Sequence, residues 1–194
     1  MTRLLPLLLV ALLSTPAHAG LLNERPIWIG GGLSGGGALT TPVQTFAGGF
    51  GHLNLSVRLI PVVPELILRE GVFGKKSRLP FHHGGLAAGV RVLLPRFLVV
   101  RPSFRVAFSH EHRTTWEHLK AEPLKVIFGV ADGIEHRTGA ETGFGLEATL
   151  DPKGHIHLGL DGTLQMLFAD DGFDPGTFTG LWEVSVKFAL GPRL

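Results

Sequence analysis

The chain has 194 residues, of which 44% are hydrophobic and only 18% charged, with 27 glycines, no cysteine, no tyrosine and a formal net charge of +2. No cysteine means no disulfide framework and no expected cysteine-linked lipid anchor, and a mean hydropathy of +0.27 is high for a soluble exported domain. The pI near 9.3 does not point to nucleic acid: nothing titrates between histidine and lysine, so a slight excess of base drives it up, and no Lys/Arg run is present.

The N-terminus reads as an export signal. Arg3 precedes an apolar run from Leu4 to Leu13, and Ala17-His18-Ala19 has the small-x-small form of a signal-peptidase site. Residues 1–19 are therefore expected to be removed, with residues 20–194 forming one domain. The run falls short of the roughly 20 apolar residues a spanning helix needs, and glycines or charges interrupt every later one.

Eight strands are expected, near residues 26–38, 46–60, 64–74, 84–94, 98–110, 137–150, 155–168 and 177–190. The first contains "GGGLSGGGA", which no Lys-Ser/Thr follows; it reads as a closely packed edge and not a phosphate loop. The second alternates His52, Asn54, Ser56 and Arg58 with Leu53, Leu55, Val57 and Leu59. The third, like the first, has ambiguous faces. The fourth sets Leu86, Ala88, Val90, Val92 and Leu94 against Ala87, Gly89, Arg91 and Leu93. The fifth sets Phe104, Val106 and Phe108 against Arg101, Ser103, Arg105 and Ala107. The sixth sets Phe144, Leu146, Ala148 and Leu150 against Glu141, Gly143, Gly145 and Glu147. In the seventh, "HIHLGLDGTLQMLF", only Gly162 interrupts an apolar row from Ile156 to Phe168. The eighth sets Trp182, Val184, Val186 and Phe188 against Glu183, Ser185 and Lys187. Period-two alternation is the primary strand signal, and these lengths suit the 9 to 11 residues of a tilted membrane strand.

The connections sort by length. Those at 61–63, 95–97 and 151–154 are short, whereas 39–45, 75–83, 111–136 and 169–176 are longer and more polar. Short and long alternate, which predicts short turns on the periplasmic side and longer loops outside. If the apolar rows face lipid, the polar rows fill a lumen that, with eight strands, is just wide enough for side chains. Its expected charge network comprises Arg58, Arg91, Arg101, Arg105, Glu141, Glu147, Asp161, Glu183 and Lys187, because buried charges require partners, with inward glycines leaving room for the arginines. A one-residue slip of the last strand would turn Glu183 and Lys187 to lipid, at about 2–4 kcal/mol for a lysine at the midplane.

These features, and above all "GLWEVSVKFAL" near the C-terminus, resemble the small eight-stranded outer-membrane barrels of Gram-negative bacteria, the OmpA-like and OmpX-like kind. The resemblance covers most of residues 26–190 and rests on pattern and loop lengths. It implies an all-β, antiparallel up-and-down transmembrane barrel in the outer membrane, with membrane lipid and the barrel-assembly machinery as partners, no nucleic acid and a monomeric state. Trp28, Trp182 and several phenylalanines would then supply the interfacial aromatics.

Candidate chemistry is sparse. His110 and His112 form an H-x-H that aims two imidazoles the same way, a weak metal signal without a spaced third ligand; solvated loop histidines are the expectation, and no cofactor is expected. His155 and His157 are expected to hydrogen-bond within the lumen. Ser109 and His110 are adjacent and so face opposite ways, and Ser185 has Glu183 on its row but no histidine evidently placed beside it, so no convincing nucleophile–base pair is visible and catalysis is not expected. The reading is a non-enzymatic envelope or surface-interaction protein with a plugged lumen. The alternatives are a small transport channel, or a soluble exported barrel that binds an apolar ligand with its rows reversed.

Overall fold

The computed structural model describes residues 26–40, 44–75, 78–151, 153–169 and 177–190. The expected signal at 1–19 lies outside them. Eight strands follow in order: β1 (Ile27–Thr40), β2 (Gln44–Val57), β3 (Val62–Lys75), β4 (Arg78–Leu93), β5 (Val100–Thr115), β6 (Glu135–Thr149), β7 (Ile156–Ala169) and β8 (Thr177–Leu190). Each pairs antiparallel with its neighbour, and β1 pairs with β8 from Ile27 opposite Leu190 to Leu39 opposite Phe178, so the sheet closes into an up-and-down barrel. Closure leaves no edge, and neighbouring strands satisfy the backbone donors and acceptors. Among the described residues no helix is long and apolar enough to cross a membrane.

The barrel is inside out relative to a soluble domain. Leu53, Leu55, Leu68, Phe104, Val106, Phe108, Phe144, Leu164, Trp182, Val184 and Phe188 are exposed on its outer wall, while Arg69, Arg91, Arg105, Glu141, Asp161 and Glu183 are buried inside. The apolar-lumen alternative is thereby removed. The two ambiguous strands acquire faces: β1 turns Trp28 and Ser34 inward, and β3 turns Val63, Glu65, Ile67, Arg69 and Phe73 inward. Trp28 corrects one expectation. It is 2% exposed, inside the barrel, whereas Trp182 is 70% exposed on the outside. The break at Gly162 is also explained, since a Cβ there would come within 3.2 Å of the Trp182 ring.

Strand boundaries differ from expectation at one end. β3 runs to Lys75, β4 begins at Arg78, and β5 runs to Thr115, so much of what reads as loop at 75–83 and 111–115 is strand. Outward apolar residues stop there but pairing does not, because polar strands can continue above a hydrocarbon belt. Two short helices, α1 (Trp116–Ala121) and α2 (Pro123–Ile127), lie between β5 and β6, with Thr115 Oγ1 accepting from the His118 amide at 3.3 Å to cap α1. This is the loop end. At the turn end, the Asp151 carboxylate accepts from the amides of His155 and Ile156, both at 2.7 Å, and holds the β6–β7 connection.

The glycine run of β1 serves closure. A Cβ on Gly32 would collide with the Val184 carbonyl oxygen, and one on Gly36 with that of Gly180. Replacing Gly32 by valine is expected to lower the yield of the compact, heat-modifiable band on gel electrophoresis. Gly51→Ala, where a Cβ meets nothing within 4 Å, is expected to leave it unchanged.

Candidate functional site: the charged lumen

Three tiers of charge fill the lumen. At the turn end, Arg58 Nη2 donates to Glu147 Oε1 at 2.5 Å, and the guanidinium lies 3.9 Å above the Trp28 ring. Glu147 also meets His157 Nδ1 at 2.6 Å and Lys187 Nζ at 3.5 Å, and His157 packs on Trp28 at 4.4 Å between centroids. One carboxylate thus gathers groups from β7, β8 and the start of the β2–β3 connection.

In the next tier Arg91 links two carboxylates. Its Nε reaches Glu65 at 3.0 Å, and its Nη1 reaches Asp161 at 2.5 Å and Ser103 Oγ at 2.9 Å. Asn54 Nδ2 donates to Glu65 at 3.3 Å. Gly145 leaves the necessary space: a Cβ there would run into Asp161 and come within 2.7 Å of Arg91 Nη1.

The central tier is a ring of two arginines and two glutamates. Arg69 contacts Glu141 at 2.9 Å and Glu183 at 2.8 Å; Arg105 contacts the same two at 3.2 and 2.9 Å. Gln165 donates to Glu141 at 2.9 Å and Arg105 to Thr163 at 2.5 Å. The four side chains come from β3, β5, β6 and β8, and three of the four pairs, all but Arg105–Glu141, brace strands that are not neighbours in the sheet. Above it, His83 pairs with Glu111 at 2.8 Å, and Phe50, Phe73 and Leu181 form a buried apolar cluster with Phe81 against it. The void bounded by His52, Asn54, Arg91, Arg105, Asp161 and Lys187 measures about 10 Å³, the space of about one water.

Of the expected network, Arg58, Arg91, Arg105, Glu141, Glu147, Asp161, Glu183 and Lys187 lie buried in these tiers. Arg101 stands on the same row of β5, half-buried, opposite Glu147 in the β5–β6 register. Glu65 and Arg69 were not anticipated. Their signal is the pairing of Glu65 and Arg69 on one row of β3 against Leu66 and Leu68 on the other, but Ile67 on the charged row and Glu70 on the apolar row obscure it. With them, Arg58, Arg69, Arg91, Arg105 and Lys187 are balanced by Glu65, Glu141, Glu147, Asp161 and Glu183.

The two histidines of the H-x-H are separated from this system. Both sit on the outward row of β5. His110 meets His136 at 3.2 Å, ring nitrogen to ring nitrogen, whereas His112 faces Glu70 and His82. Ser109 is inside and His110 outside, as adjacent strand residues must be.

Removing one member of a buried ionic cluster leaves its partners uncompensated, at about 3–5 kcal/mol. Arg69→Met is expected to lose that much stability in denaturant unfolding of the micelle-embedded barrel. Lys125→Ala, on the exposed loop, is expected to leave the unfolding midpoint unchanged.

The fold has solved counterparts. Neisserial surface protein A superposes with a TM-score of 0.63 at 10% identity, covering 84% of this chain and 97% of that one. Ail of Yersinia pestis, in a complex with the heparin analogue sucrose octasulfate, gives 0.55 at 9% identity, covering 85% and 98%. The outer membrane protein OprG from Pseudomonas aeruginosa gives 0.52 at 9% identity, covering 87% and 98%. No protein-family model matches the sequence, and no curated protein does. The likeness is therefore one of fold: the chain is an all-β, closed, eight-stranded up-and-down barrel, similar to the small barrels of outer membranes.

Proposed function

We propose that this chain is a non-enzymatic protein of the bacterial outer membrane, closed to solutes, that contributes to envelope integrity or presents its loop end for surface interaction. The observation that carries the reading is the sidedness of the barrel: a wall of exposed leucine, valine, phenylalanine and Trp182 around a lumen of buried, mutually neutralised charges. Water solvates such a wall poorly, whereas lipid accepts it. The packed ion pairs and the void of about 10 Å³ support a plugged lumen over a channel. The fold likeness to outer-membrane proteins supports the location, and with it export through the signal at 1–19, insertion by the barrel-assembly machinery and a monomeric state in lipid. The opposite facing of Ser109 and His110 supports a role without catalysis.

Carbonate-washed membranes are expected to retain the protein until detergent is added, and the purified barrel is expected to produce no stepwise current in planar bilayers. Release by carbonate alone would overturn the membrane placement. Discrete current steps would overturn the plug and make the chain a small channel.

A further inference from the structure

We propose that Glu70, His82 and His112 form a binding site for a divalent transition-metal ion of the zinc class on the outer wall of the barrel, at its loop end. The sheet register builds it. Glu70 pairs with Gly84 across β3 and β4, and Gly84 pairs with His112 across β4 and β5, so the three residues stand at one height. His82 is on the same outward row of β4, two residues beyond Gly84. One ligand-bearing atom from each of Glu70, His82 and His112 lies within 4.8 Å of the others. Two imidazoles and a carboxylate suit a borderline divalent ion such as Zn²⁺.

The central position of the row carries no side chain, and this makes the cluster a cradle. A Cβ on Gly84 would collide with His112 Nε2 and come within 2.8 Å of Glu70 Oε1. The donor atoms therefore crowd the space that only glycine leaves open. His82 Nε2 meets Glu70 Oε2 at 2.7 Å. His112 Nε2, by contrast, is buried without a hydrogen-bond partner, and so is His82 Nδ1. A buried ring nitrogen left without a partner is unfavourable, and a metal ion is an electron-pair acceptor that relieves it. Zinc bonds of about 2.0–2.2 Å would draw these donors in from the 4.8 Å within which they now lie.

The position suits an accessible ion site. The last exposed apolar residues below it on the outer wall are Leu68, Leu86 and Phe108, so it lies just past the belt. The loop between β5 and β6 packs against it, with Gly129 close enough that a Cβ there would be 3.3 Å from His112 Nδ1. The Glu70 side chain is 41% exposed and leaves a path for the ion and room for a water as fourth ligand. His136 stands opposite His112 in the β5–β6 register but is engaged with His110.

The test is calorimetric titration of zinc chloride into the refolded barrel in detergent micelles, with folding checked by heat-modifiable migration. One equivalent per chain is expected to bind saturably. Glu70→Gln should weaken binding at least about tenfold, since even an outer-shell partner is worth about 10–100-fold, and His112→Ala should abolish it. Gly84→Val keeps all three donors but fills the cradle, and should also abolish it; His110→Ala should bind as the parent does. If His112→Ala fails to refold, Glu70→Gln at the exposed rim decides the matter. No saturable uptake by the folded barrel, or loss on His110→Ala with Glu70→Gln unaffected, overturns the site. Neither result bears on the membrane reading, which stands on the apolar wall and is tested by fractionation.

Discussion

Charge neutralisation across a narrow axis is the constraint on which this barrel depends. Eight strands enclose a space that side chains must fill, and the outer wall takes the apolar rows, so the filling is polar. Its three charged tiers set Arg58, Arg69, Arg91, Arg105 and Lys187 against Glu65, Glu141, Glu147, Asp161 and Glu183, and Glu111 and Arg113 are buried on the same row of β5 nearer the loop end. Each would be prohibitively costly alone. Together they tie β3 to β6 and β8, and β5 to β8, strands that share no backbone hydrogen bonds, as the Arg69–Glu141, Arg69–Glu183 and Arg105–Glu183 pairs show. A buried ionic cluster adds little over a well-packed apolar one, but its incomplete versions are strongly disfavoured. Its contribution is to register: a strand displaced by one residue would break the cluster and put charge on the wall.

The charged tiers lie between aromatic and aliphatic ends. Trp28 packs under Arg58 and His157 at the turn end, and Phe50, Phe73 and Leu181 form a buried cluster toward the loop end. Ion pairs flanked by apolar side chains interact in a lower local dielectric than ion pairs in water. Beyond the buried cluster the strands continue, and their outer surface changes from hydrocarbon to imidazole: His82, His112, His136 and His110 follow one another across β4, β5 and β6. The exposed apolar wall thus gives way to a row of imidazoles on these three strands.

Much of this was legible in the alternation itself. Wherever one row was apolar and the other polar, as in β2, β4, β6, β7 and β8, the sequence assigned each side chain to wall or lumen, and the structure places Arg58, Arg91, Glu141, Glu147, Asp161, Glu183 and Lys187 inside. Where both rows were mixed, the signal failed. In β3, Arg69 and Glu70 are consecutive, so one had to face inward and one outward, and the local pattern had no means of choosing. Trp28 suited either a lipid interface or the lumen for the same reason. The loops at 75–83 and 111–136 were read too long because alternation of polarity, the cue for a strand, disappears above the belt although strand pairing continues.

Sidedness is a local property, since successive side chains of a strand point to opposite faces, and so the amino-acid sequence alone determined an all-β chain with a greasy face and a charged one. Partnership is not local. Which arginine meets which carboxylate, and that Glu70, His82 and His112 converge over Gly84, follow from strand register around a closed ring, which brings the side chains of Arg69 and Glu183, 114 positions apart, within hydrogen-bond distance. Only the closed tertiary structure decided those contacts, because a two-residue shift of any strand would preserve every face and change every partner.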